Sequence, residues 1–233
     1  MTGSKRGGAA AAAMLCASAA CAGPLVITPT TVTIAPERHS AVVEVENSGD
    51  DTVDLQFRAY DWRQEGGEDR LTPTDALIVS PAIATLGPHA RQLFRVMQVD
   101  AAPAAAGAER SYRLRLNQLP RGDAAAVAVL LEFSLPVFQS ARDASPRLHW
   151  AWGPDGVTVT NTGGRRVRFS RLALQAQDGA PAALASAGAA YLLGGASRTF
   201  RLAEPGTTLA NARLVGLGDT GPIDVAETTP AAR

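Results

Sequence analysis

Apolar and polar residues alternate in short runs along nearly the whole chain. Val43 and Val45 share one parity before a polar stretch at 47–50, and Val53 and Leu55 continue in phase after it. A period of two places alternate side chains on opposite faces of a β-strand. Asn, Asp, Gly and Pro separate the runs, and no amphipathic helical pattern of useful length appears between them. The pattern predicts an all-β protein whose short strands pack as sandwiches.

A polar stretch without periodicity, residues 140–147, divides the pattern into two halves. We expect this stretch to be a linker between a first domain at 23–139 and a second β domain at 148–233. Roughly 210 residues remain once the leader described below is removed, a length that suits two domains of ordinary size.

The most regular alternation lies between residues 126 and 135, near the end of the first half. Glu132 and Ser134 occupy one face of the predicted strand. The other face carries a continuous apolar row, formed by Val127, Val129, Leu131, Phe133 and Leu135. An unpaired strand with such a row would recruit another chain. The row is therefore either buried within this protein or serves to pair with a partner.

Two arginines alternate with apolar residues on the preceding run. Arg113 and Arg115 lie between Tyr112, Leu114 and Leu116, so both guanidiniums leave the strand on the face opposite the apolar trio. Adjacent arginines can bind a carboxylate through charge-assisted, bidentate hydrogen bonds. The alternative is a solvated face on which the two arginines pair with acids of a neighbouring strand.

The N-terminal residues have the order of a secretory signal peptide. Lys5 and Arg6 precede the alanine-rich run Ala9–Ala20, which is too short to span a bilayer, and small residues follow at 20–22. We predict a signal peptide at 1–22, export of the mature chain and no membrane insertion. Cys16 and Cys21 both lie in this leader, so the mature chain has no disulfide and no thiolate site.

Charge and chemistry exclude several classes of function. Removing the leader shifts the formal net charge from zero to about minus two, which disfavours a nucleic-acid ligand. His39, His89 and His149 lie far apart in sequence, and neither a G-x-S-x-G motif nor a phosphate-binding glycine loop occurs. We predict no metal, no cofactor and no enzymatic activity. A hydrolase with a dispersed site is the weakest alternative.

Tryptophans leave one alternative open. Trp62, Trp150 and Trp152 lie on predicted strands, where core packing is their usual role. If Trp150 and Trp152 are exposed beside polar groups, they form a platform for sugars. The protein would then be a secreted β-sandwich binding module such as an adhesin or a carbohydrate binder.

The order of motifs resembles the periplasmic pilus-assembly chaperones, and most closely the branch that serves spore-coat-like fimbrial subunits. The matching segments are TPTTVTI, EVENSGD, YDWRQ, LTPTDALIVSPAIATLGPHARQLFRV, ERSYRLRLNQLP and SLPVF, with VTVTNTGGRRVRFSRLAL in the second half. The resemblance covers most of the chain after the leader and is weaker after Gly179.

The resemblance implies two immunoglobulin-like β-sandwich domains set at an angle, with a cleft between them. It also implies a periplasmic chaperone that needs no ATP or other cofactor. Such a protein binds pilus subunits by donating its last first-domain strand, here Ala126–Leu135, to the subunit's incomplete sheet. It then passes the subunit to an outer-membrane usher, in fimbrium biogenesis and cell wall organisation. Whether the free chaperone caps its own strand by dimerising stays open.

One departure from the family's main branch concerns the subunit's C-terminal carboxylate. Members of that branch bind this group with an arginine of the first strand and a lysine of the donor strand. Thr31 stands at the first position here, no cation lies near Ser134, and no lysine follows the leader. We hypothesise that Arg113 and Arg115 bind the carboxylate instead.

Overall fold

The computed structural model describes residues 25–99, 107–121, 129–153, 155–176, 181–184, 190–203, 209 and 211–227. Every regular element in these ranges is a β-strand, which confirms the all-β prediction. The strands form two pairs of facing sheets, one pair in each half of the chain.

The first half pairs a four-stranded sheet with a six-stranded one. The strands are β1 (Leu25–Thr28), β2 (Val32–Ile34), β3 (Ser40–Asn47), β4 (Val53–Glu65), β5 (Glu68–Pro73), β6 (Leu77–Ser80), β7 (Ile83–Leu86), β8 (Arg91–Gln98), β9 (Arg110–Leu119) and β10 (Glu132–Gln139). The smaller sheet has the order β1-β3-β8-β6. The larger has the order β2-β10-β9-β4-β5, with β7 also paired to β4.

The core of the first half lies between these sheets. Alternation along β3 and β4 turns Val43, Val45 and Leu55 inward, as the sequence pattern predicts, and all three are fully buried. Phe57 and Phe94 meet across the sheets with ring centroids 4.7 Å apart, in the edge-to-face arrangement that aromatic rings prefer.

The second half repeats this plan with a three-stranded and a five-stranded sheet. Its strands are β11 (Leu148–Gly153), β12 (Gly156–Asn161), β13 (Val167–Gln175), β14 (Pro181–Ala183), β15 (Ala190–Leu192), β16 (Ser197–Phe200), β17 (Arg213–Gly218) and β18 (Gly221–Ala226). The sheet orders are β11-β12-β16 and β14-β13-β17-β18, with β15 also paired to β13. Trp150, Phe169 and Phe200 are buried between the two sheets.

A buried asparagine ends an early strand in each half. Asn47 closes β3 and Asn161 closes β12, and both side chains are fully buried. Their amide nitrogens donate at 2.7 Å to the carbonyls of Asp51 and Arg165, which in each case lie four residues later. Each Oδ1 also accepts a hydrogen bond of 3.1 Å from the backbone N–H of the glycine two residues on. The two halves thus use the same hydrogen-bonded corner.

The segment between β10 and β11 is hydrogen-bonded to both halves. The N–H of Ser140 donates to the carbonyl of Ile34 at 2.9 Å, and the N–H of Arg147 donates to Oδ1 of Asn161 at 3.1 Å. The expected linker therefore lies against both sandwiches.

An aromatic contact joins the two halves. Trp62 of β4 and Phe138 of β10 pack against Tyr191 of β15, with ring centroids 5.4 to 5.8 Å apart. Gln64 accepts a hydrogen bond from the N–H of Leu193 and donates one to the carbonyl of Tyr191, both at 2.9 Å. Apolar burial and directional hydrogen bonds together hold β4 against the second half.

Candidate functional site

Strand β10 is covered along its full length on one side only. Its residues Glu132–Gln139 pair antiparallel with β9, whereas β2 pairs in parallel with Val137–Gln139 alone. No other strand in the described ranges pairs with β10. The backbone of Glu132–Leu135 therefore presents a free edge, which is the feature by which one sheet accepts or supplies a strand for another chain.

The apolar row predicted on this strand is exposed at its beginning and buried in the core at its end. Val129 is 84% exposed, and Leu131 and Phe133 are half-buried. Phe133 already packs against the first core, and Leu135 is only 5% exposed within it. The expectation that Leu135 belongs to a partner-binding row is wrong in this structure, because the core of its own domain covers its side chain. Val127 lies outside the described residues.

The strand also begins later than the alternation predicts. The pattern favours a strand over 126–135, whereas β10 spans Glu132–Gln139. The carbonyl of Leu131 still accepts a hydrogen bond from the N–H of Gln118 at 2.9 Å, one residue before β9 ends. Alternation records which face a residue is on, but a strand also needs a neighbour to pair with, and the ladder between β9 and β10 begins only at Asn117 and Glu132, two residues before β9 ends.

Strand β9 turns both candidate arginines away from the core. Tyr112, Leu114 and Leu116 are buried in the first core, which confirms the predicted alternation. Arg113 and Arg115 therefore share the outer face of the larger sheet, and there they lie opposite Pro136 and Ser134 of β10.

The Arg113 guanidinium is half-buried against aromatic rings. Its central carbon lies 3.8 Å from the ring centroid of Trp62 and 5.9 Å from that of Tyr191. Burial lowers the pKa of Arg113 from its usual value, and the charges of Asp69 and Tyr191 oppose that effect. Among the described residues no acid lies within ion-pair distance of this guanidinium, so its charge is available to an anion from outside.

The second arginine of β9 has an acidic neighbour. Nε of Arg115 lies 3.6 Å from Oε1 of Glu132, a distance that makes an ion pair but not a hydrogen bond. Its guanidinium also lies 5.0 Å from the ring centroid of Tyr60. The structure thus distinguishes two arginines that the alternation treats alike.

Arg113 lines a cavity of about 390 Å³ between the two halves. Thr31 contributes from the segment that leads into β2, and its hydroxyl lies 3.3 Å from the hydroxyl of Tyr191. Arg168 of β13 and Arg198 of β16 line the same cavity. We call this cavity the cleft. Three guanidiniums and one carboxylate, that of Asp69, line it, so the cleft suits an anion.

Sequence reasoning did not identify Arg168 or Arg198. A signal exists, because Arg168 alternates with the buried Val167 and Phe169 just as Arg113 alternates with the core residues of β9. Alternation predicts that Arg168 faces outward, but it cannot predict that this outer face turns toward the first half.

The tryptophans are packing residues. Trp62 and Trp150 are buried, and Trp152 packs half-buried against the second core. Nε1 of Trp150 donates a hydrogen bond to the carbonyl of Val225 at 2.9 Å. The exposed aromatic platform on which a sugar-binding reading depends is therefore missing from these three positions.

Two further observations concern the described residues alone. They contain no group of three His, Cys, Asp or Glu side chains that could hold a metal ion. None of them belongs to a helix that is long and apolar enough to cross a bilayer.

Comparison with known proteins gives a family and a fold. The family model for pili and flagellar-assembly chaperones, PapD N-terminal domain, matches residues 24–140. The chaperone of the CsuC–CsuE chaperone and tip adhesion subunit complex of Acinetobacter baumannii is 20% identical with a TM-score of 0.70. That alignment covers 88% of this chain and 98% of the other.

Two more solved structures share the fold. The CupB2 chaperone of Pseudomonas aeruginosa is 18% identical with a TM-score of 0.62, over 87% of this chain and all of the other. The match to the Salmonella enterica complex of the SafA pilin with the SafB chaperone is 12% identical with a TM-score of 0.64. It covers 89% of this chain and 98% of the other. No curated protein sequence matches the chain. The fold class predicted from the sequence, two immunoglobulin-like β-sandwiches, is confirmed.

Proposed function

The chain belongs to the family of pili and flagellar-assembly chaperones, and from that premise we propose that it binds pilus subunits by donating the first part of β10 and the residues before it. The observation that carries the proposal is the free edge at Glu132–Leu135, which continues into the exposed Val129. The match to chaperones solved with a tip adhesion subunit and with a pilin supports a subunit as the partner. The family works by binding and not by catalysis.

In the proposed complex, the backbone around 127–133 completes the subunit's sheet. Val129, Leu131 and Phe133, with Val127 before them, enter the groove that the missing strand leaves in the subunit. Phe133 lies at the boundary, because it packs against the chaperone's own core as well. Leu135 stays in that core and anchors the donor strand to the first domain.

We propose further that Arg113 binds the subunit's C-terminal carboxylate in the cleft. Arg113 is half-buried, lies beside Thr31 and Tyr191 and has no acidic partner within ion-pair distance among the described residues. A carboxylate there would receive a charge-assisted hydrogen bond from a partly desolvated donor. Arg115, which pairs with Glu132, is the weaker candidate and lies further along the same face.

The remaining parts of the proposal concern place and partners. The leader at 1–22, which lies outside the described residues, would direct the chain to the periplasm. The domains at 23–139 and 148–233, joined by 140–147, would form the two walls of the cleft. Delivery of the subunit to an outer-membrane usher would follow. The same free edge would allow two unoccupied chaperones to cap each other as a dimer.

Co-expression in a periplasm with the pilus subunit encoded nearest to this gene tests the proposal. We expect a one-to-one complex on purification, and we expect the double substitution V129S/L131S to abolish it without unfolding the chaperone. The matched control is Leu93→Ser, which changes an exposed leucine of the smaller sheet and should leave the complex intact. A subunit that accumulates folded without this protein, with no complex detected, would contradict donor-strand binding.

Arg113→Ala and Arg115→Ala, made separately, test the carboxylate proposal in the same assay. Arg113→Ala should weaken capture at least tenfold, about 1.4 kcal/mol, and Arg115→Ala should weaken it less. Equal capture by wild type and Arg113→Ala would show that the carboxylate binds elsewhere.

A further inference from the structure

We infer that the cleft binds a doubly anionic chain end, in which a second carboxylate close to the terminal one is received by Arg168 and Arg198 of the second half. The inference rests on the proposed function, since it names the kind of subunit terminus that fits the site. It assigns the second domain a direct part in recognising the subunit.

The charges that line the cleft do not balance. Arg113, Arg168 and Arg198 contribute three positive charges, and Asp69 contributes one negative charge. None of these three guanidiniums lies within ion-pair distance of an acid among the described residues. One terminal carboxylate would still leave the cleft with an excess positive charge.

Two of the guanidiniums of the cleft gather around one aromatic ring. Tyr191 lies between the halves, and the guanidinium carbons of Arg113 and Arg168 are each 5.9 Å from its ring centroid. A guanidinium binds a carboxylate best through two parallel hydrogen bonds, which occupy both oxygens of that carboxylate. A carboxylate bound in this way to Arg113 keeps one lone pair on each oxygen, which can accept a further single hydrogen bond but not a second pair of parallel ones from Arg168.

Strand geometry keeps the second site in place. Arg168 lies on β13 between the buried Val167 and Phe169, and its backbone N–H donates to Oδ1 of Asp219 at 2.9 Å. Arg198 precedes the buried Phe200 on β16 and contacts its ring at 5.9 Å. Both cations therefore extend from rigid strands, a placement that favours a preorganised binding site.

Three synthetic hexapeptides, titrated into the full mature chain, test this inference. The first has an aspartate next to a free terminal carboxylate. The second replaces that aspartate with asparagine, and the third keeps the aspartate but carries a terminal amide. Binding is followed by the shifts of ¹⁵N-labelled arginine side chains. We expect the first peptide to bind about threefold to fivefold more tightly than the second, since one partly exposed charge pair is gained.

Single arginine variants test which side chain binds the aspartate of the peptide and which binds its terminal carboxylate. Arg168→Ala and Arg198→Ala should each remove most of the preference for aspartate over asparagine, and Arg113→Ala should weaken binding of the two peptides that have a free terminal carboxylate. The matched control is Arg171→Ala, since Arg171 is exposed on the same strand β13 but does not line the cleft. It should leave the preference unchanged.

Equal affinity for the first two peptides overturns the inference, as does the absence of binding of any peptide at millimolar concentration. If wild type nevertheless captures the pilus subunit in co-expression, only the second-carboxylate site has failed and the proposed function stands. If the expected peptide preference appears but no subunit is captured, the cleft is an anion site and the proposed function has failed.

Discussion

Glu109 and Arg166 form an ion pair buried between the two domains, with only 2% and 7% of their side chains exposed. Glu109 directly precedes β9, and Arg166 directly precedes β13. The N–H of Glu109 also donates to the carbonyl of Gly164 at 2.8 Å, and the Arg166 guanidinium lies 3.6 Å from the ring centroid of Phe138. The pair therefore ties the strand that carries Arg113 to the strand that carries Arg168.

Replacing Arg166 with an uncharged residue should make the free energy of unfolding depend on pH. Burial raises the pKa of Glu109 above 4.5, and the charge and hydrogen bonds of Arg166 hold that rise back. In Arg166→Met the pKa should rise further. A carboxyl whose pKa is raised by folding contributes stability below its unfolded pKa and loses it as pH increases through the folded value. We expect the free energy of unfolding of Arg166→Met to be about 3–5 kcal/mol below that of wild type at neutral pH, and we expect this deficit to shrink toward pH 4.5.

Urea unfolding of wild type and Arg166→Met at several values between pH 4 and 7 measures that deficit. The double variant E109Q/R166M, which has neither charge, should lose the pH-dependent part of the deficit. A deficit of the same size at every pH would mean that Arg166 acts through its packing on Phe138 and not through its charge.

Two leucines on either side of the start of β10 should separate stability from binding. Leu135→Ala removes a core side chain and should lower the free energy of unfolding by about 2–5 kcal/mol. Leu131 lies beyond the core, so Leu131→Ala should change the free energy of unfolding by less than about 0.5 kcal/mol. The same substitution should weaken subunit capture. Urea unfolding and co-purification, run on both variants, check the two expectations. Equal destabilisation by both would mean that the chaperone's own core extends to Leu131.

A glycine pair sets how closely the domains approach. A Cβ added to Gly164 would lie 1.5 Å from the carbonyl oxygen of Gly107, so the two backbones would have to move apart. Gly164→Ala should therefore lower stability by about 1–3 kcal/mol, as overpacking does. Gly87→Ala is the matched control, because a Cβ there meets nothing within 4 Å. If both variants have the same urea midpoint, the contact between Gly107 and Gly164 is not a constraint.

Alternation predicted the parts of this structure that depend on neighbouring residues along one strand. The inward faces of β3, β4 and β9 follow directly from a period of two, and so does the outward direction of Arg113 and Arg115. The polar stretch at 140–147 likewise falls between the last strand of one sandwich and the first strand of the next.

What alternation could not predict depends on distant residues. Phe133 and Leu135 have the same parity as Val129, yet the opposing sheet extends far enough to bury Leu135 and leaves Val129 in solvent. Arg168 and Arg198 join Arg113 because two domains meet, a fact that no local pattern contains. The pairing of Arg115 with Glu132 likewise depends on the register between β9 and β10.

The matching corners at Asn47 and Asn161 bear on how the two domains behave as separate bodies. The amide nitrogen of each asparagine donates to carbonyls of its own domain. Such buried, fully paired amides make each sandwich a self-contained unit. The hydrogen bonds at Asn47 and Asn161 therefore hold each sandwich together from within, independently of the aromatic and ionic contacts that join the two halves.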